Sequence, residues 1–80
     1  MSIAIKPGDH FLHFKGNVYE IIGMGEHTEN GDAMVVYKAV NTGKIYVRPA
    51  NMFFSPVDKE KYPDIKQEMR FEPIPWDKKE

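Results

Sequence analysis

Residues 33–49 read Ala33-Met34-Val35-Val36-Tyr37-Lys38-Ala39-Val40-Asn41-Thr42-Gly43-Lys44-Ile45-Tyr46-Val47-Arg48-Pro49. Two runs of β-branched and aromatic residues flank Asn41-Thr42-Gly43. Asn and Gly supply the positive φ that a tight turn needs, so the stretch predicts a hairpin with strands at 33–40 and 44–48. Pro49 has no N–H to donate and should end the second strand. Period-two alternation sorts the faces. Val35, Tyr37 and Ala39 share one side of the first strand, and Met34, Val36 and Lys38 share the other. In the second strand Ile45 and Val47 are the expected core pair. Tyr46 and Arg48 are then expected to face outward or to border a groove.

The same pattern continues on both sides of this hairpin. Turn signals recur at Pro7-Gly8, Lys15-Gly16-Asn17 and Asn30-Gly31-Asp32. They delimit strands expected at 9–14 and 18–26, with Gly23 and Gly25 as bulge or bend positions. Residues 49–55 suit one turn of 3₁₀ helix that lays Met52 and Phe53 on the end of the sheet. The polar stretch 58–69 should hold a helical turn at 64–68, with Pro63 as its first residue. Residues 70–74 should return as a closing strand. Spacing of this kind predicts a mainly β domain, a small SH3-like five-stranded barrel with a 3₁₀ turn and little helix. The expected domain covers 1–74, and residues 75–80 form a charged tail.

Composition narrows the function classes. Apolar residues make up 41% and charged residues 29%, which is globular and not disordered. Eleven basic and twelve acidic residues give a net charge of −1. Neither half of the chain carries a polybasic run, so nucleic acid and anionic membrane surfaces are disfavoured as partners. The chain has no cysteine, which removes disulfides, thiolate metal sites and cysteine nucleophiles. It has no apolar run long enough to span a membrane or to serve as a secretion signal. A cytoplasmic location is expected. Eighty residues bury a modest core, so a homodimer is a second route to stability.

Several segments together resemble one known family. They are Gly8, His13-Phe14-Lys15-Gly16-Asn17, Tyr19-Glu20-Ile21, Gly23, His27-Thr28-Glu29, Val35-Val36-Tyr37, Val47-Arg48-Pro49, Met52-Phe53 and Arg70-Phe71. Their order and gaps resemble the small bacterial and phage family catalogued as domain of unknown function 1653. The likeness runs over about residues 8–72. It departs at His27-Thr28-Glu29-Asn30, where the family usually reads His-Ser-Glu-Thr, and at Gly25-Glu26, where the family usually has an Ala-Arg-like pair. The resemblance implies an SH3-like barrel and implies no activity.

Catalysis is hard to build from these residues. Ser2 and Ser55 are the only serines, and neither has a His–carboxylate relay at a useful spacing. His10 and His13 are three apart on a strand and so point to opposite faces, which disfavours a shared metal. No cofactor motif is present, and the glycines lack the spacing of a phosphate loop. The residues that look over-specified are His27 and Glu29, which point the same way, together with Arg48 and Tyr46. Arg suits two-pronged recognition of a carboxylate or phosphate, and a phenol beside it adds a stacking surface. Packing is the better account of Tyr19 and of Tyr37, although Tyr37 could also border a groove. Met52, Phe53 and Phe54 cannot all point inward, so Met52 or Phe54 is available to a partner.

The expected function is therefore a non-enzymatic binding module. Its ligand is a small anion, nucleotide-like or an acidic peptide group, held by His27, Glu29, Tyr46 and Arg48. The competing expectation is a protein-interaction or homodimer module that uses exposed Met, Phe and Val side chains.

Overall fold

The computed structural model describes residues 5–75. Five antiparallel strands form one sheet in the order β4-β3-β2-β1-β5. They are β1 (His10–His13), β2 (Val18–Glu26), β3 (Ala33–Ala39), β4 (Ile45–Pro49) and β5 (Phe71–Ile74), with one helical turn, α1 (Ala50–Phe53), after β4. The chain is mainly β with little helix, as its alternation predicts. The sheet does not close, because β4 and β5 are its two edges. Residues 76–80, most of the expected tail, lie outside the described residues.

Turn chemistry sets the registers. Gly16, at φ 103°, closes the β1–β2 hairpin, with its N–H donating to the His13 carbonyl at 2.8 Å. Gly43, at φ 79°, does the same for β3–β4, donating to Ala39 at 2.8 Å. Side chains with a Cβ are strained at both positions. In β2 the pairing slips between Ile21 and Gly23, so Ile22 is the extra residue of a bulge. A bulge increases local twist, which bends the long β2–β3 ribbon around the core.

One face of the sheet is the inner face. Phe11, Ile21, Val35, Tyr37 and Phe71 line it, and Phe53 comes down from α1 to complete the cluster. The Phe53 ring stacks on Phe71 at 4.0 Å between centroids and meets Phe11 and Tyr37 edge-on at 5.3 and 5.2 Å. Residues 54–70 then loop back. A bridge pairs Pro56 with Met69, and the Val57 and Arg70 amides donate to Glu68 and Ser55. The Gln67 side-chain amide holds this loop to β1, donating to the carbonyls of Leu12 at 2.8 Å and Met69 at 2.9 Å.

Four local expectations are corrected. First, Ile45 and Val47 are not core residues; each is 59% exposed. Tyr37 pairs with Tyr46 and Val35 with Arg48, so the buried face of β3 continues onto Tyr46 and Arg48. A long amphipathic side chain on an edge strand lays its stem on the core and keeps its polar end at the rim. Second, residues 50–53 form one turn of α-helix and not 3₁₀, with the Phe54 amide reaching the Ala50 carbonyl at 3.0 Å. Third, no helix forms at 64–68. The backbone turns at 62–65 with the Ile65 amide donating to Tyr62, and then reaches the bridge without regular structure. Fourth, only Phe53 lies on the sheet; Met52, expected there with it, points outward, whereas the Phe54 ring rests on Phe53 at 5.0 Å and Phe11 at 6.3 Å.

Candidate functional site

Arg48 projects from β4 across the inner face. Its Nε donates to the Tyr37 hydroxyl at 3.2 Å, and its guanidinium carbon lies 5.6 Å from the centre of the Phe71 ring. The two contacts fix the guanidinium plane. They use Nε and leave both terminal amino groups without a hydrogen-bond partner among the described residues. The guanidinium borders a cavity of about 260 Å³.

Three other cations line the same cavity: Lys15 from the β1–β2 turn, Lys61 from the long loop, and Arg70 at the start of β5. The chain brings them together because β5 pairs with β1, and Arg70 and Phe14 meet where that ladder begins. Tyr62 and Phe14 form an aromatic post, with ring centroids 5.0 Å apart. The ammonium of Lys15 lies 5.6 Å from the Tyr62 ring centre and that of Lys61 lies 5.9 Å from it. Such contacts place an ammonium without neutralising it. Asp58 is the single carboxylate of the lining. Its Oδ1 accepts the backbone N–H groups of Glu60 at 3.1 Å and Lys61 at 3.4 Å, which caps its own turn. Among the described residues the ion pairs are Lys6–Asp9 and Lys38–Glu20, and none involves a cavity residue.

His13 also lines the cavity. Its Nδ1 accepts the Lys15 backbone N–H at 3.1 Å, which places the imidazole proton on Nε2. Burial lowers its pKa below the ordinary 6.5, and the charges of Arg48, Lys15 and Arg70 lower it further. The imidazole is therefore neutral near pH 7.

The residues singled out in the sequence fall into separate places. Arg48 lies on the cavity and Tyr37 positions it. Tyr46 stacks on Tyr37 at 5.7 Å and 28° and is 40% exposed, next to the cavity but outside its lining. His27 lines a different, shallow cavity of about 250 Å³ with Met34, Val36 and Val47 on the outer face. Its Nδ1 accepts the Glu29 amide at 3.1 Å, an exposed local turn contact. No hydrogen bond or ion pair among the described residues joins His27 or Glu29 to Arg48. Phe54 borders a mostly apolar cavity of about 450 Å³ between β5 and residue 5. Met52 lines none of the three.

His13, Lys15, Lys61 and Arg70 escape a reading by local alternation, because three separate segments supply them. One signal was available. Phe11 is an obvious core residue, and period two then carries His13 to the same face. Among the described residues no group of three or more His, Asp or Glu is placed to hold a metal ion. No helix among them is long and apolar enough to cross a membrane.

Fold and cavity together define a class: a small antiparallel β-sheet domain whose inner face opens at one rim into a cation-lined pocket. The profile of the family described as "Protein of unknown function (DUF1653)" matches residues 9–73, and the chain belongs to that family. No curated protein matches the chain. No solved structure matches it either.

Proposed function

We propose that this domain is a non-enzymatic binding module that takes a small anion in the cavity beside Arg48. One observation carries the proposal: four cationic side chains surround a cavity of about 260 Å³, and none of them is ion-paired among the described residues. Gathering like charges costs electrostatic energy, and an anion offsets that cost. The guanidinium is also held rigid before any ligand arrives, which lowers the entropy lost on binding. Five antiparallel strands, with a one-turn helix between β4 and a β5 that returns to β1, support an SH3-like reading of the fold. The site differs from the one expected from sequence in its partners. Arg48 works with Lys15, Lys61 and Arg70, whereas His27 and Glu29 lie apart.

Isothermal titration calorimetry of the full chain with small anions tests the proposal. Saturable binding that disappears in Arg48→Ala, while the melting temperature stays within a few degrees, is the expected result. Equal loss of binding and folding would make Arg48 a structural residue only.

A second reading is assembly as a homodimer. Ile45 and Val47 are each 59% exposed on the edge strand β4, beside the half-buried Met34 and Val36. An apolar face next to an unpaired strand edge suits a second copy of the chain. Light scattering across a concentration series decides this reading, and a monomer at every concentration ends it.

A further inference from the structure

Resting on the anion-binding reading, we propose that the cavity selects a terminal phosphate group, the dianionic end of a small phosphomonoester, over a carboxylate. Charge and shape both lead to this ligand class. Four cations and one carboxylate line the cavity, and the carboxylate already accepts two backbone N–H groups. A monocarboxylate would leave most of the positive surplus unmatched. A phosphomonoester brings about two negative charges near pH 7 and three acceptor oxygens.

The directions of the donors agree. With Nε held by Tyr37, the two terminal amino groups of Arg48 make a fork that grips two oxygens of either kind of anion. A planar carboxylate is then fully used by that one fork. A tetrahedral phosphate still offers a third oxygen, and Arg70, Lys15 and Lys61 line other parts of the same cavity. Neutral His13, protonated on Nε2, adds a donor without adding charge.

Size and the aromatic post exclude more elaborate recognition. The cavity is about 260 Å³, just under the roughly 300–1,000 Å³ of sites that enclose a whole drug-sized ligand. It therefore encloses an end group and leaves the rest of the molecule in solvent. The two ammonium groups beside the Tyr62 ring compete for the faces on which a nucleobase would stack. The phosphate, and not an attached ring, is what the site reads. With a net charge of −1 the chain lacks the wider basic surface a nucleic acid would track.

The test is an NMR titration of the ¹⁵N-labelled full chain at pH 7.5 with glycerol 3-phosphate, inorganic phosphate, acetate, citrate and a short single-stranded oligodeoxynucleotide lacking a terminal phosphate. Glycerol 3-phosphate and phosphate are expected to shift the amides of residues 13–15, 48, 61 and 70 saturably. Their affinity should exceed that of acetate at least tenfold. Arg48→Lys, which keeps the charge and loses the fork, should weaken glycerol 3-phosphate severalfold while lowering the melting temperature by no more than the loss of its one hydrogen bond to Tyr37 does. Arg70→Gln should weaken it independently, which covers a failure of the first variant to fold. Acetate or citrate binding as tightly as glycerol 3-phosphate would overturn the phosphate assignment and leave the anion site standing. Tighter binding of the oligodeoxynucleotide would also overturn it. No saturable shift with any anion would overturn both.

Discussion

Arg48 is held by two aromatic neighbours, one through its hydroxyl and one through its ring face. Tyr37→Phe removes the hydroxyl and keeps the ring. The lost hydrogen bond should cost about 0.5–1.5 kcal/mol in urea denaturation. Anion affinity should fall more than stability does, because the released guanidinium must be ordered again by the ligand. His13 gives a second prediction at this scale. Burial and the charges of Arg48, Lys15 and Arg70 hold its folded pKa below 6.5. Between the folded value and 6.5 the unfolded chain binds more protons, so stability rises with pH across that window. The contribution is complete above pH 6.5 and is lost as the pH falls through the folded value. His13→Gln should flatten the acid side of a stability–pH curve measured by chemical denaturation. An unchanged slope would mean that His13 titrates normally.

At the scale of elements, α1 is one turn long and fully buries a single side chain. Phe53 is fully buried and stacks on Phe71. Phe53→Ala should cost about 3–5 kcal/mol by cavity formation. In a domain of this size each kcal/mol is worth about 4–8 °C, so the melting temperature by circular dichroism should drop by at least about 12 °C. The long loop depends on Gln67 in a similar way. Its one side-chain amide serves backbone carbonyls on β1 and on the loop itself. Gln67→Ala should cost about 1–3 kcal/mol by leaving those carbonyls unpaired. It should also weaken anion binding, because Arg70 and Lys61 belong to the segment that Gln67 tethers. Loss of stability with unchanged affinity would separate the loop from the site. The strands were legible in the sequence because alternation and turn residues are local signals. The absence of a helix at 64–68 is not legible locally, because a proline followed by polar residues suits both a helix start and an open turn. Packing of Tyr62 against Phe14 accompanies the turn that formed.

At the scale of the whole molecule the two faces have different characters. The inner rim carries the cationic cavity, and the outer face carries Ile45 and Val47 in solvent. If the outer face pairs with a second copy, Val47→Glu should give a monomer by light scattering while stability changes by no more than about 0.5 kcal/mol, as at other exposed positions. Anion affinity in that variant should be unchanged, since Val47 lies on the opposite face from the cavity.

Sequence alone determined the mainly β class, the five strands to within two residues at either end and the turns at Gly16 and Gly43, and it singled out Arg48 as a candidate. These follow from local chemistry: β-branched runs, positive-φ glycines, and a guanidinium sharing a strand face with a phenol. Tertiary structure decided which face of β4 is buried and which residues stand beside Arg48. Edge-strand register placed Tyr46 and Arg48 over the core, against the apolarity of Ile45 and Val47. The pairing of β5 with β1 brought Lys15 and Arg70 into one cavity, and the tethered loop added Lys61. Contacts between residues so far apart along the chain leave no periodic trace in it, because they are fixed by how strands pair and not by how side chains alternate.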